Sequence, residues 1–419
     1  MKALFFVFDS LRADHVSCYG HSKQTTPNID RLSSDGIVFE NAFSQAIWTG
    51  PSSSAILTSQ YPLVNNFGYI SKTGDNSQEF LPTPFEGTDI ETGAITSLHQ
   101  ARDTRLADGF DSHIDMFDVK SPTSADYPSV LADTVIEWVD DHKMEDFVLF
   151  VWWMGTHSPF TTPPDYERKL SDSSGQAATG INYDGRDDPN QVRDLYDETI
   201  RYNDREFGRI TKYLKKQELY DDAVVAVTSD HGEVFDEHGR LEHISPKVKS
   251  LCRATIPKNI QSKYNMFSGS GYAGHQQILP YDELLHVPLV LKLPDNRCSN
   301  TREEELVETI DITPTIHELM DVPQLPAAQG HSLLDLVEDG NTIHEYVYSS
   351  NPMLYSKTLY NTIRNEEHKY IRLEENPINV RENIRYRPSR TLYSYFSNLV
   401  QPDKLLFDVT EGETTNLAD

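Results

Sequence analysis

The chain has 419 residues, with 65 acidic and 37 basic side chains and a formal net charge of −28. Its length allows one large α/β domain with a smaller appendage, or two domains, and its 37% apolar content is typical of a folded globular protein. Because no basic stripe is present to neutralise phosphates, the composition excludes nucleic acid as a partner.

The first predicted element is a buried strand, Ala3–Phe8, which ends at Asp9. Its six apolar residues are too few for the apolar region of a secretory signal. The apolar run at Phe147–Met154 is far shorter than the roughly 20 residues that span a bilayer. The three cysteines show neither metal-ligand spacing nor a disulfide framework. We therefore expect a soluble cytoplasmic protein that begins near Met1 and has no transmembrane segment.

The second predicted helix lies in the stretch AIWTGPSSSAILTSQYP, Ala46–Pro62. A helix over PNIDRLSSDG precedes it and ends in glycine, as helices commonly do. Ser, Thr, Gly and Pro together are typical of a turn that caps a helix, because they satisfy orphan amide groups. On local grounds alone, Thr49 is therefore interpreted as part of a helix cap.

Buried strands alternate with helices in the middle of the chain. The apolar runs are typical of strands covered on both faces in a parallel sheet, and the helices show apolar residues at three- and four-residue spacing. The strands are FVLFVWW (147–153), AVVAVT (223–228) and PLVLKL (288–293), and the helices are PSVLADTVIEWVDDH and LYDETIRYNDREFGRITKYLKKQ. This alternation predicts a doubly wound, mostly parallel α/β sheet flanked by helices.

The pattern changes at about Gly340. Short alternating segments with aromatic residues follow, namely EYVYSS, LYNTIR, KYIRLE and KLLFDV, and they predict a small antiparallel sheet. We therefore predict a catalytic α/β domain over 1–340 and a C-terminal β subdomain over 341–419. The polar segment Glu233–Gly274 is predicted to cross the edge of the sheet that carries the active site.

Polar chemistry follows three of the predicted strands directly. Asp9 follows the first, His157 lies just beyond the second, and Asp230 and His231 follow the third. In open α/β sheets, ligands bind at the carboxyl ends of strands. Carboxylates gathered there repel each other unless a cation or proton neutralises them. One imidazole beside the carboxylates allows the site to take manganese or zinc. The alternative is that these acids only cap helices.

Five segments, in order along nearly the whole chain, resemble the sulfatase family of the alkaline phosphatase superfamily. Phe8–Pro62 resembles the amino-terminal signature, with a metal-ligand Asp, R-x-D, C-Y-G, T-P-N-x-D-x-L, F-x-N-A and the nucleophile turn. The other four are VTSDHGEVFDEHG, YDELLHVPLVLKLP, VETIDITPTIHELMDVPQLPAAQGHSLLDL and KLLFDVTEGETTNLAD. The resemblance implies a sulfatase-like fold and a metal-dependent ester hydrolase.

The resemblance also implies roles for individual residues. One divalent ion, Mn, Zn, Ca or Mg, would be held by Asp9, Asp230 and His231, with Thr49 as nucleophile and further ligand. In much of the family a second acid follows the first, and here that position is Ser10.

Two histidines and one serine complete the comparison with the family pattern. His157 in THSPF matches a family histidine that contacts the ester or leaving group. His275 stands where many members have a substrate-binding lysine, and Ser53 replaces the arginine of the nucleophile turn. These replacements remove positive charge near the ester, which favours monoanions such as phosphodiesters, phosphonate monoesters and sulfate esters.

The threonine at the nucleophile position sets this chain apart from ordinary sulfatases, which oxidise Cys or Ser there to formylglycine. Oxidation of Thr49 would give a ketone, because its β-carbon carries a methyl group. The resemblance therefore implies a direct hydroxyl nucleophile activated by metal, as in related phosphodiesterases and headgroup transferases.

Two other functions stay open at this point. One is a transferase that moves a phospho-headgroup from lipid or nucleotide to an alcohol or glycan, and the other is a non-catalytic binding protein on the same scaffold. The substrate is expected to be a small-molecule, glycan or lipid ester. The sequence predicts no oligomeric state.

The acidic residues are spread along the chain, which suits a cytoplasm rich in salt and predicts a halophile. An acidic mesophilic enzyme is the alternative.

Several other polar residues are interpreted as structural. Arg12 is predicted to pair with Asp14, and the segment 282–286 is predicted to support the following strand. A surface or capping role is predicted for four further histidines, with a place in the lining of the cleft as the alternative; they are His15, His99, His238 and His243.

Overall fold

The computed structural model describes residues 1–65, 79–98, 109–170, 188–235, 237–238, 250, 253–258, 261, 273–274, 279–352, 358–375 and 404–410. Its strands are β1 (Lys2–Phe8), β2 (Ile37–Phe43), β3 (Ile90–Thr96), β4 (Ser112–Asp115), β5 (Asp146–Trp153), β6 (Ala223–Ser229), β7 (Val234–Phe235), β8 (Ala273–Gly274), β9 (Leu289–Lys292), β10 (Thr301–Glu308), β11 (Val347–Pro352), β12 (Thr358–Arg364), β13 (His368–Glu375) and β14 (Lys404–Asp408). Its α-helices are α1 (Pro27–Ser34), α2 (Thr49–Thr58), α3 (Pro62–Asn65), α4 (Met116–Val119), α5 (Tyr127–His142), α6 (Pro189–Lys216), α7 (Asp282–Leu285), α8 (Ile312–Leu319) and α9 (Leu334–Val337). Within these ranges, no helix combines the length and the apolar character needed to cross a membrane.

The main sheet has eight strands in the order β10-β2-β9-β6-β1-β5-β3-β4. Every neighbouring pair is parallel except those made by β9, which is antiparallel to both β2 and β6. The predicted doubly wound, mostly parallel α/β sheet is therefore confirmed.

PLVLKL forms the predicted buried strand, β9, but this strand runs antiparallel to both of its neighbours. The reason lies in the preceding segment, where the Ser44 amide donates to the Leu285 carbonyl and His286 bridges Phe43. The chain therefore enters the sheet from the end at which β2 finishes, and β9 has to run in the opposite direction.

Four strands of the main sheet were not predicted from the sequence, and their composition explains why. The edge strand β10 reads TREEELVE, β2 is interrupted by Glu40 and Asn41, and β3 and β4 are short or half polar. Edge strands do not need the continuous apolar run that marks a strand buried on both faces.

The central strand β1 is buried on both faces of the sheet. Phe6 belongs to the apolar layer that includes α5 and α6, and its ring lies 5.2 Å from that of Phe207. Phe5 belongs to the opposite layer, which includes Ile56 of α2 and Ile316 of α8. Because strand side chains alternate between faces, an unbroken apolar run is what a strand between two helical layers requires.

The four predicted C-terminal segments form one antiparallel sheet in the order β11-β12-β13-β14. This sheet is bonded to the loop that leads into α2. The Ser350 amide donates to the Gln45 carbonyl over 2.9 Å, and the Ile47 amide donates to Asn351 Oδ1 over 2.6 Å. The small C-terminal antiparallel sheet is thus confirmed, and the boundary at 340/341 stays a prediction.

Candidate active site

The register of the sheet places two acids and a histidine side by side. Phe8 at the end of β1 pairs with Ser229 at the end of β6, so that Asp9 and Asp230 leave the sheet together. Asp9, Asp230 and His231 are all completely buried, and one ligand atom from each lies within 4.8 Å of the others. The carboxyl edge of the sheet therefore carries a compact group of potential metal ligands.

Thr49 is the first residue of α2, and its side chain lies against this group. Its Oγ1 is 3.3 Å from Asp9 Oδ2 and 3.3 Å from His231 Nε2. The N-cap residue of α2 is Trp48, and no side-chain hydrogen bond caps the helix. The helix-cap interpretation of Thr49 is therefore wrong.

The tautomer of His231 shows why the group suits a cation. Burial lowers the pKa of His231, which keeps the ring neutral near pH 7. Its Nδ1 lies 2.8 Å from the Gly232 carbonyl, so we assign the proton to Nδ1. The lone pair on Nε2 then faces Asp230 Oδ2 at 3.2 Å and Asp9 Oδ1 at 3.9 Å. Three electron donors converge there, which is the arrangement that a divalent metal stabilises.

Hydrogen-bond donors orient both carboxylates of the group. Asp9 accepts from Ser10 Oγ at 2.9 Å and from Trp152 Nε1 at 3.2 Å. Asp230 accepts from the Ser10 amide at 3.0 Å and from Ser52 Oγ at 3.3 Å. The sequence analysis missed Trp152 and Ser52 as orienting residues. Ser52 could have been found, because it lies three residues after Thr49 on one helical face.

Ser10 contacts both carboxylates of the candidate metal ligands, Asp9 and Asp230. Its φ of 64° is in the left-handed region, which costs a non-glycine residue about 1 kcal/mol or more. The conformation is held by its amide contact with Asp230 and by Tyr196, whose hydroxyl donates to the Ser10 carbonyl over 2.6 Å. Ser10 Oγ lies 3.5 Å from Nδ1 of His231, the ring nitrogen that is not turned to the carboxylates. We infer that Ser10 orients Asp9 and is not itself a ligand.

The structure describes only one of the two predicted substrate-contacting histidines. His157 follows β5, is half-buried, and its Nδ1 lies 2.6 Å from the Ser158 carbonyl. His275 lies outside the described residues.

The predicted pair of Arg12 and Asp14 is present. Arg12 donates to both Asp14 oxygens, at 2.8 and 2.7 Å, and to Glu237 at 2.8 Å. Asp14 is exposed, and although partial desolvation acts to raise its pKa, the charge and hydrogen bonds of Arg12 lower the pKa of Asp14 to about 2.

The interpretation of Asp282–His286 as structural agrees with the structure. Asp282 accepts from Lys369 Nζ at 2.8 Å and Arg364 Nη1 at 3.0 Å. The Nε2 atom of His286 lies 2.7 Å from the Glu40 carbonyl.

The surface or capping role predicted for four further histidines is wrong for two of them. His15 and His238 are buried, and they contact Asp197 and Glu283 at 2.6 and 3.1 Å. Each packs on aromatic rings and meets a carboxylate, a combination that local sequence does not display. His99 and His243 lie outside the described residues.

We expect Gly232→Ala to lower the free energy of unfolding by about 1–3 kcal/mol, the usual cost of overpacking. A Cβ on Gly232 would lie 1.9 Å from the Glu283 carbonyl oxygen and 3.0 Å from Arg12 Cγ, so the backbone beside His231 has to move. Chemical denaturation of the variant and the wild type measures the loss. Equal denaturation midpoints and equal denaturant dependence of the unfolding free energy in the two proteins would contradict the close packing around Gly232.

The chain was compared with known proteins. The sulfatase family model matches residues 2–322, and a model of the C-terminal part of N-sulphoglucosamine sulphohydrolase matches residues 272–382. Iduronate 2-sulfatase of Mus musculus is 21% identical over 419 aligned residues, which cover 83% of this chain and 74% of that protein.

Solved structures agree with this match at the level of the fold. The phosphonate monoester hydrolase of Agrobacterium radiobacter has a TM-score of 0.69 at 17% identity, covering 100% of this chain and 91% of that chain. A protein solved with its substrate D-glucosamine-2-N,6-O-disulfate has a TM-score of 0.67 at 16% identity. The match covers 100% of this chain and 93% of that chain. With three quarters of its length matched by the family model and its sheet shared with these structures, the chain belongs to the sulfatase family.

Proposed function

We propose that the chain is a metal-dependent hydrolase of monoanionic esters, namely sulfate esters, phosphodiesters or phosphonate monoesters, with Thr49 as its nucleophile. One observation carries the proposal. Thr49 Oγ1 lies 3.3 Å from both Asp9 Oδ2 and His231 Nε2, at the amino terminus of a helix. The amide dipoles of that helix end favour an anionic substrate.

The donor set of the site fits the divalent ion that sulfatase family members use. A divalent cation held by Asp9, Asp230 and His231 would lower the pKa of a nearby hydroxyl and offset charge on the ester. Two carboxylates and one imidazole favour manganese or zinc over calcium, which takes six to eight oxygen ligands.

The residues around Thr49 support attack by its oxygen. The Thr49 hydroxyl donates to Asp9, which draws negative charge onto Oγ1. In the proposed first step, the Thr49 hydroxyl proton passes to Asp9, Oγ1 forms a bond to phosphorus or sulfur, and the bond to the ester oxygen breaks. His157 would supply a proton to the departing oxygen. In the second step, His157 takes a proton from water, the water oxygen bonds to phosphorus or sulfur, and the bond to Thr49 Oγ1 breaks, so that Oγ1 regains the proton held by Asp9. Phosphorus esters suit this route best, because a phospho-threonine can be hydrolysed at phosphorus.

Charge supports a monoanionic substrate. Asp9 and Asp230 carry two negative charges, which one divalent cation balances without surplus. The position of the family arginine holds Ser53, which is buried and donates its hydroxyl to the Gly50 carbonyl over 3.0 Å inside α2. A dianionic phosphate monoester would lack the extra cation that it needs.

An activity panel tests the proposal. Metal-stripped protein in molar potassium chloride receives manganese, zinc, magnesium or calcium, and then an aryl sulfate, a phosphate monoester, a phosphodiester or a phosphonate monoester. We expect turnover of the monoanions, with phosphorus esters preferred. Turnover of none of them with any metal would refute the proposal. A second arm with glycerol detects transfer, because a transferase would place the phosphoryl group on glycerol instead of water.

We expect the melting temperature to rise from low salt to molar potassium chloride. The net charge of −28 destabilises the compact state by self-repulsion, and salt screens that repulsion. Scanning calorimetry at a series of salt concentrations measures the trend. Sucrose at matched osmolality serves as the control, since it strengthens burial without screening charge. A melting temperature that is flat or falls with salt would contradict the halophile hypothesis.

A further inference from the structure

We propose that His15, His21 and Asp197 form a second metal site, separate from the proposed catalytic one, which takes zinc or a similar borderline transition metal. One ligand atom from each lies within 4.8 Å of the others. None of the three takes part in the proposed ester hydrolysis.

The contact of His21 with Asp197 has the spacing of two metal ligands and not that of a hydrogen bond. Asp197 Oδ1 lies 2.6 Å from His15 Nδ1, a hydrogen bond, and 3.4 Å from His21 Nε2. That second contact is not a hydrogen bond, and His21 Nε2 is buried without a hydrogen-bond partner in the described part of the chain. Tetrahedral zinc ligands, at about 2.0–2.2 Å from the metal, lie about 3.3 Å apart. The His21 contact already has this spacing, and the His15 contact needs to open by about 0.7 Å.

The local fold holds the two histidines together. They lie on either side of a tight turn that ends at Gly20, whose φ of 93° lets the chain reverse. Their rings stack with centroids 4.9 Å apart, and the rings of Tyr196 and Phe235 pack edge-on against His15. Aromatic packing restricts the imidazole rotamers, which lowers the entropy cost of binding a metal.

The charges around the trio admit a divalent cation. Lys23 Nζ lies 2.7 Å from Asp197 Oδ2 and 2.7 Å from Asp194 Oδ1. The Lys23 ammonium therefore bonds to Oδ2 of Asp197, and the two histidines approach the other oxygen, Oδ1. Two carboxylates and one ammonium leave a net negative charge. Two nitrogen donors and one oxygen donor favour zinc, cobalt, nickel or copper over magnesium and calcium.

A metal at this position would brace the loop that follows β1. Asp197 is on α6 next to Tyr196, whose hydroxyl donates to the Ser10 carbonyl and accepts from the Arg12 amide. The ion would join this stretch of α6 to the loop carrying His15 and His21. Its role is therefore structural, and its absence would loosen the backbone that carries Asp9 and Ser10.

Difference titrations of the full chain test the proposal. Metal-stripped wild type, His21→Ala, Asp230→Asn and the double variant are titrated with zinc against a chromophoric chelator. We expect His21→Ala and Asp230→Asn each to bind one equivalent of zinc fewer than wild type. The double variant should bind two equivalents fewer. His368→Ala, an exposed histidine outside both groups, is the control and should match wild type. The readout is the difference between chains, so weak zinc binding by other histidines does not affect it.

A second measurement uses the stability of the chain. Zinc should raise the melting temperature of Asp230→Asn but not that of the double variant, and calcium should raise neither through this site. His21→Asn, which keeps a polar side chain, replaces His21→Ala if the latter fails to fold. Equal zinc stoichiometry and an equal temperature rise with and without His21 would overturn the proposal. If His21→Ala loses one equivalent of zinc and Asp230→Asn loses none, the proposed second site stands. The proposed catalytic metal is then refuted.

Discussion

Thr49→Ala is expected to abolish ester turnover, with a loss of roughly 10⁴-fold or more, the scale on which removal of a covalent nucleophile acts. The substitution deletes the oxygen that lies 3.3 Å from both Asp9 and His231. The fold should persist, because Thr49 begins α2 without capping it and is only half-buried. Steady-state kinetics on the preferred ester measure the loss, and circular dichroism checks the fold.

Thr49→Ser is the matched control for this prediction. It keeps the attacking oxygen and removes one methyl group, so it should retain measurable turnover. Trapping wild type with a slow phosphodiester should also add a phosphoryl-containing mass to Thr49. Wild-type rates in Thr49→Ala would show that this hydroxyl is not the nucleophile.

Asp230→Asn is expected to lose one tightly bound divalent ion together with turnover. The substitution preserves the shape of the side chain and its acceptor for the Ser10 amide, but it removes one of the two negative charges of the group. We expect metal affinity to fall by roughly 100-fold or more, because loss of an outer-shell partner alone costs about 10–100-fold. Competition titration and elemental analysis measure it.

Asp14→Asn is the matched control for Asp230→Asn. It removes the same charge from a neighbouring loop, where Asp14 pairs with Arg12 instead of facing His231. It should therefore keep the metal. Full retention of metal by Asp230→Asn would refute the ligand assignment, and equal loss in both variants would point to a general effect of charge.

The sequence alone predicts the central strands β1 and β6 and the candidate metal ligands at their ends for the same reason. An apolar run long enough for a strand buried on both faces ends directly at Asp9, and another ends at Asp230 and His231. The pairing of β1 with β6 then brings these ends together. The direction of β9 could not be predicted, because it depends on the contact of His286 with Phe43 and not on the composition of the strand.

Contacts between distant parts of the chain explain what the sequence could not show in the site. Asp197 meets His15 across 182 residues, and Trp152 reaches Asp9 across 143. No periodicity or spacing within a short window encodes such pairs. Asp9, by contrast, was predicted from its immediate neighbours, because its position depends on a single local feature, the end of a strand.

The hydrogen bond from the Ile47 amide to Asn351 has a consequence for the synthesis of the chain. The two residues are 304 positions apart, so the turn before Thr49 leaves the ribosome long before the residue that holds it. A nascent chain can pair β1 with β5 and β6 before the C-terminal strands emerge, but it cannot complete this turn until β11 has emerged. Catalytic competence should therefore arise only near the end of translation, and stalled or prematurely terminated chains that lack β11 should be inactive even where their main sheet has formed.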